Sequence, residues 1–225
     1  MTKSLRTKAI VLRRTNYGEA DRILQLLTPL GRYAVIAKGA RRERSKLAGG
    51  VELFAISDIV IQTGRGGLGI LTSARLLKFF QRILIDYERL SSGYESVKLV
   101  TRASETLDTT EWYDILSEVF AALNQPDTPL LLIKTWLYIR YATVLGYELG
   151  LVYDVAGNKL LQKQMYQYNI SEKGLQLADN GELSSEHIKL LRLVAVKSIK
   201  TLAQIGGVSD ILPACFSVAR QHAAI

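Results

Sequence analysis

The chain is poor in the residues on which most protein chemistry depends: one cysteine and two histidines in 225 residues. A lone Cys215 can form no disulfide within the chain and supplies no thiolate cluster, which excludes a cystine-stapled scaffold and a cysteine-based metal centre. His187 falls in the first turn of a helical stretch and His222 lies close to the C-terminus. Neither stands in a motif with Ser, Cys and Asp, so no nucleophile with its base is legible. Carboxylates such as Asp114 and Glu118 lie one helical turn apart, a spacing that a solvated helix face also produces. Long apolar runs are missing too: residues 130–133 and 136–139 are separated by Lys134 and fall short of the roughly 20 residues of a bilayer span. Residues 1–8 lead into alternation rather than into the continuous apolar core of a signal peptide. The expected compartment is the cytoplasm.

What the chain does have is positive charge, unevenly placed. Residues 1–82 hold 16 Lys and Arg against 5 Asp and Glu, residues 83–225 hold 13 against 16, and the whole carries +8. Residues 38–46, Lys-Gly-Ala-Arg-Arg-Glu-Arg-Ser-Lys, gather five cations and one acid between two apolar stretches. A positive module attached to a mildly acidic one points to a polyanion as the first module's partner. A solvated surface is the competing role for such a run.

The period of the apolar residues changes near residue 80. Before it, residues 7–14, 21–28, 32–37, 54–63 and 68–75 are short, rich in Val, Ile, Leu or Tyr, and bounded by turn residues such as Asn16-Tyr17-Gly18 and Pro29-Leu30-Gly31. Five short strands joined mostly by turns too short for helical crossovers predict a small closed antiparallel barrel of OB type over residues 1–80. After it, residues 79–90, 94–106, 112–123, 130–146 and 185–205 place apolar side chains three and four apart, which predicts helices. Residues 81–225 are thus expected to form a mostly α-helical domain, and the fold class is α+β. Between 147 and 181 the turn signals at Gly150, Gly157-Asn158, Gly174 and Asn180-Gly181 predict an irregular insert with a hairpin near Gly157.

Gly64-Arg65-Gly66-Gly67-Leu68-Gly69 satisfies G-x-G-x-x-G. A dinucleotide site would need a helix to open at the last glycine and receive the pyrophosphate. Ile70-Leu71-Thr72 is strand-like instead, so a glycine-rich hairpin carrying Arg65 is expected.

Several of these segments together carry a resemblance. Ala9-Ile10-Val11-Leu12-Arg13-Arg14, Tyr17-Gly18-Glu19-Ala20-Asp21-Arg22-Ile23, Thr28-Pro29-Leu30-Gly31-Arg32, Ala37-Lys38-Gly39-Ala40-Arg41-Arg42 with Ser45-Lys46, and Gly64-Arg65-Gly66 before Leu68-Gly69 resemble, in order and spacing, the RecO family of DNA repair and recombination mediators. The likeness covers roughly residues 5–80; beyond it rests on helical character and on Gly146-Tyr147 with Leu149. It implies an N-terminal OB barrel and a helical C-terminal domain. It further implies binding of single- and double-stranded DNA, strand annealing, and work with RecR and single-stranded-DNA-binding protein to load RecA, in a bacterial cytoplasm at the nucleoid. Many RecO-like proteins carry a four-cysteine zinc site opening with C-x-x-C-G. The aligned stretch here is Tyr153-Asp154-Val155-Ala156-Gly157, without either thiol, so no metal and no cofactor are expected. The insert would instead be held by Leu151, Val152, Leu160, Met165, Tyr166 and Tyr168.

A non-enzymatic scaffold follows, with phosphate contacts from Arg13, Arg14, Arg22, Arg32, Lys38, Arg41, Arg42, Arg44, Lys46 and Arg65. Tyr17 and Tyr33 are candidates for base stacking, with packing at the barrel edge as the competing role for each; Phe54, entering an apolar strand, is expected in the core. The resemblance implies that the helical domain receives the acidic, apolar tail of single-stranded-DNA-binding protein, and Lys189, Arg192, Lys197 and Lys200 on the last long helix are the candidate rim. An RNA-binding OB protein without a recombination role would share the basic barrel and remains the alternative.

Overall fold

A computed structural model describes residues 3–63 and 67–224. The period-two stretches form β1 (Lys3–Tyr17), β2 (Asp21–Thr28), β3 (Gly31–Ala37), β4 (Ala55–Thr63) and β5 (Leu68–Phe79), which close into a barrel in the order β1-β2-β3-β5-β4. Every neighbouring pair is antiparallel except β3 with β5. This is the expected five-stranded OB-type barrel. β1 is long because it serves two partners: Lys3 to Ala9 pair with β4, Ile10 to Tyr17 pair with β2, and the register shifts between Val11 and Arg13. Ala9, Val11, Leu24, Leu26, Val35, Ala37, Ile59, Ile61 and Leu71 fill the interior. At the β3–β5 closure Gly69 is required, since a Cβ there would lie 2.7 Å from Ile61 Cγ2.

Of the expected helix over residues 79–90 only residues 87–90 are α-helical. Phe79 still pairs with Ala55 at the end of β5, a 3-10 turn covers Gln81–Leu84, and the helix α1 (Tyr87–Thr106) begins only after Asp86, whose carboxylate accepts the Arg89 N–H at 3.0 Å. Sheet pairing thus overrides helical spacing until a cap appears. After α1 comes α2 (Glu111–Leu123), and both pack on the barrel, α1 against β1 and α2 against β2. By contact the chain divides into two compact units, Met1–Asn124 and Gln125–Ile225, with α1 and α2 in the first.

Phe54 joins barrel and helices. Its ring is buried, in edge-to-face contact with Tyr94 of α1 at 5.1 Å between centroids and with Phe120 of α2 at 5.4 Å, and Phe80 meets Phe120 at 5.7 Å. Gly93 lets α1 close on this ring, because a Cβ there would sit 2.8 Å from Phe54 Cε1. Phe54 itself holds φ 53°, a backbone conformation costly for an aromatic residue, and the packing of its ring maintains it.

In the second unit α3 (Leu130–Val144) is buried on nearly all sides and contacts α4 (Ser185–Val196), α5 (Ile199–Leu202) and α6 (Leu212–His222). The single helix expected over residues 185–205 is broken. Trp136 Nε1 donates to the Lys197 carbonyl at 2.8 Å and Arg140 to that of Ala195 at 3.1 Å, while the Ser198 side chain accepts the Thr201 N–H and starts α5. α6 was not among the expected helices; its buried Leu212, Cys215, Val218, Ala219 and His222 recur at helical spacing, with Pro213 in its first turn.

The insert holds a hairpin of β6 (Tyr166–Asn169) and β7 (Gly174–Leu177), while the turn at Gly157 is closed by a Tyr153–Lys159 bridge and by the Asp154 N–H donating to the Asn158 carbonyl at 2.8 Å. Asp154 organises that turn, accepting the Ala156 and Asn158 N–H groups at 3.0 and 2.7 Å. With the thiols absent and this carboxylate occupied by backbone, the stretch does not fit a four-thiolate zinc centre. Leu151 and Tyr166 are buried as expected, whereas Val152 is exposed and contributes its carbonyl to Leu160. His222 ties the insert to α6: Nδ1 accepts from the Tyr168 hydroxyl at 2.9 Å and Nε2–H donates to the Tyr147 carbonyl at 3.0 Å.

Two outcomes follow. Phe54→Ala is expected to cost about 3–5 kcal/mol, read as a lower urea midpoint, since it empties the contact between barrel and helices. Burial, with Lys173 acting in the same direction and the Tyr147 hydrogen bond opposing, holds His222 below its ordinary value of 6.5. The unfolded chain therefore takes up a proton below that pH which the native imidazole refuses, so this contribution is complete above pH 6.5 and falls as the pH drops. The fall in midpoint between about pH 7.5 and 5.5 is expected to be smaller in His222→Gln than in the wild type.

Candidate nucleic-acid interface

The connection from β3 to β4 holds residues 38–46. Its backbone is fixed at several points: Asp21 Oδ1 accepts the Gly39 N–H at 2.7 Å, Arg41 N–H donates to the Ala20 carbonyl at 2.9 Å, and successive turns link Gly39 to Arg42 and Arg42 to Ser45. Ala40 and Val51 are buried in the barrel core and Leu47 packs against it. With the small and apolar positions turned inward, Lys38, Arg41, Arg42, Arg44 and Lys46 are all exposed. Asp21, Ala40 and Val51 are the residues that sequence reasoning missed; the acid opening β2 offered no signal of its own, because its partner lies 18 residues away.

The remaining candidates divide. Arg13 is exposed on β1. Arg14 is paired with Glu52 at 2.8 Å, and Arg32 with Glu105 at 3.4 Å and with Gln25, so both have partners within the first unit. Arg22, in register with Asn16 and Ala37 at the barrel end where the loop begins, is half-buried, and its Nε lacks a hydrogen-bond partner among the described residues. Arg65 lies outside the described residues. Two cations not counted among the candidates, Arg6 and Arg75, both reach Asp58 on the other side of the barrel, and Arg6 holds that carboxyl below its usual range chiefly by hydrogen bonding. That pairing lowers the positive charge there.

The register sorts the aromatics as well, because cross-strand partners share a face. Tyr33 is opposite Leu26 and packs against the interior, while Tyr17, opposite Asp21, is 55 % exposed. Phe54 is in the core. The helices cover only one end of the outer face of β2 and β3: Leu27 is fully buried, and Asp108 accepts the Arg32 N–H at 3.2 Å. Towards the loop that face is open. After Gly69 the chain continues as β5 to Phe79, so the helix a dinucleotide fingerprint needs is not there.

In the second unit Lys189, Arg192, Lys197 and Lys200 do not share one helix. Lys189 and Arg192 lie on α4, Lys197 sits at the break and Lys200 on α5. Arg192 donates through Nε and Nη2 to the Leu151 carbonyl at 2.9 and 2.6 Å and holds the start of the insert. The other three side chains are exposed. His187 caps α4 through Nδ1 and Ser184, and Cys215 is a buried thiol that burial pushes up to about 12, hence unreactive. Among the described residues no group of three or more His, Cys, Asp or Glu side chains converges as metal ligands would, and no helix is long and apolar enough to cross a membrane.

Against known proteins, residues 1–80 match the family model described as recombination protein O, N terminal. The chain is 42 % identical over 120 residues to the DNA repair protein RecO of Roseiflexus sp. (strain RS-1), covering 53 % of this chain and 42 % of that protein. It is 28 % identical over 216 residues to the DNA repair protein RecO of Dehalococcoides mccartyi (strain CBDB1), covering 91 % of this chain and 84 % of that one. To the Synechococcus elongatus DNA repair protein RecO it is 34 % identical over 148 residues, 63 % of this chain and 55 % of the relative. The match thus spans less than half of the Roseiflexus protein and just over half of the Synechococcus one, but most of the Dehalococcoides protein.

Proposed function

We propose that the chain is a member of the RecO family of DNA repair proteins, to which its matches point, and that it binds single- and double-stranded DNA through the loop of residues 38–46 and the adjoining barrel face, as a scaffold rather than an enzyme. The observation that carries this reading is the pinned loop: five exposed cations on a backbone fixed by Asp21, Ala40 and Val51. Cations held outward on an ordered backbone meet phosphates without a large ordering cost, and each phosphate neutralised releases counterions.

Strand annealing brings two polyanions together, and neutralising phosphates on both lowers their repulsion without nucleophile or metal. On this account the protein anneals strands and, with RecR and single-stranded-DNA-binding protein, helps load RecA in the cytoplasm. The second unit would make the protein contacts, with Lys189, Lys197 and Lys200 as the rim for an acidic tail. Arg192 serves the insert instead.

Replacing Arg41, Arg42 and Arg44 together with Ala is expected to weaken binding to DNA of any sequence and to reduce the log–log salt slope by about 2, at roughly 0.7–0.9 per contact. The melting temperature should change little, as those side chains are exposed. An unchanged slope would remove the loop from the interface. The companion assay is annealing of complementary strands coated with single-stranded-DNA-binding protein, in which the triple variant should be slower than wild type.

A further inference from the structure

We propose that Tyr17 is a stacking platform for an unpaired base, and that it, rather than the cations, makes the protein distinguish single strands from duplex. This rests on the barrel's reading as a nucleic-acid interface. Phosphate binding needs only the loop, yet the open half of the barrel's outer face also carries aliphatic side chains beside Arg13, Thr15 and Gln25. Following the register across the sheet, Thr15, Ile23, Ile36 and Ile70 form one row and Arg13, Gln25, Ala34 and Leu68 the next. Ile70 and Leu68 are 37 % and 43 % exposed, and Ile23 and Ile36 are half-buried. Tyr17 stands at the end of this face at 55 % exposure.

The turn that carries it is not loose. Arg41 of the basic loop donates through its backbone to Ala20 and through its guanidinium to the Gly18 carbonyl at 3.3 Å. The loop thereby grips the β1–β2 turn from residue 18 onward and leaves the ring one residue away uncovered. An exposed ring on a fixed turn, beside exposed cations and in front of an aliphatic surface, fits a strand whose phosphates follow the loop while its bases turn inward onto the sheet. Duplex DNA keeps its bases stacked and paired and presents only phosphates to the same surface. Its contacts should be limited to the cations. Stacking on an aromatic ring is insensitive to base identity, so no sequence preference follows.

The test uses the full chain with an oligothymidylate and a blunt duplex of equal length. Tyr17→Ala is expected to lower affinity for the single strand about tenfold, within the range measured for loss of one stacked base, while duplex affinity and both salt slopes stay unchanged. Tyr17→Phe should retain single-strand binding, because the ring and not the hydroxyl acts. Tyr17→Trp should retain it too and report directly: Trp112 and Trp136 are both buried, so the exposed Trp at 17 would dominate the response to ligand and its emission should fall on binding the single strand. Equal losses on single strand and duplex, no loss on either, or unchanged Trp emission would overturn the proposal. A lowered salt slope in Tyr17→Ala would also overturn it, by showing that the ring only props the cations. Replacing Arg42 and Arg44 with Ala, which keeps the Arg41 contact to the Gly18 carbonyl, tests the underlying reading separately, since its failure appears in the salt slope on both substrates.

Discussion

The first unit depends on one contact: the Phe54 ring held between barrel and helices. The connection from β3 must carry a cationic loop outward and then return to begin β4, and Phe54, at φ 53°, is where it turns. Phe120 and Tyr94 meet the ring edge-on, and the absent side chain of Gly93 gives it room. With this contact made, Phe80 is drawn to Phe120, α1 follows from Asp86, and the α1–α2 pair lies over the Leu27 and Arg32 end of the barrel face. The far end of the face is left open as a result. What the helices cover and what they leave exposed is thus decided by where one aromatic side chain is buried.

Electrostatics then divides the cations by partner. Arg14, Arg32, Arg6 and Arg75 each face a carboxylate within the first unit, where an exposed ion pair adds little stability but lowers the local potential. Arg13, Lys38, Arg41, Arg42, Arg44 and Lys46 are exposed around the uncovered part of the face. A field concentrated there steers a polyanion to a region where the sheet also offers apolar surface.

The barrel was legible in the sequence because its signals are local: strand alternation, Gly and Asn turns, and a nine-residue cationic run. Phe54 could be assigned to the core for the same reason. The face of Tyr17 could not be assigned, since the register shift between Val11 and Arg13 sets which side each later β1 residue presents, and a bulge leaves no mark in composition. Nor could the pairing of Arg32 be foreseen, as Glu105 lies 73 residues away. The break after α4 escaped because it is imposed by Trp136 and Arg140 of another helix on a segment whose own spacing remains helical. α1 was shortened by expectation because its buried face includes Ser92, Ser96 and Ser104, small residues whose hydroxyls bond back along the helix and weaken the apolar pattern.

The central claim is that nucleic acid occupies the uncovered half of the barrel face and the loop beside it. Amide hydrogen exchange, with and without a short oligothymidylate, tests this most directly, because it maps the contact along the intact chain. The account predicts slower exchange in residues 15–25 and 36–46, with Leu27 and Arg32 at the covered end and the strands around Asp58 unchanged. Protection centred on the Arg6, Asp58 and Arg75 side of the barrel, or on α1 and α2 with the loop unaffected, would contradict it.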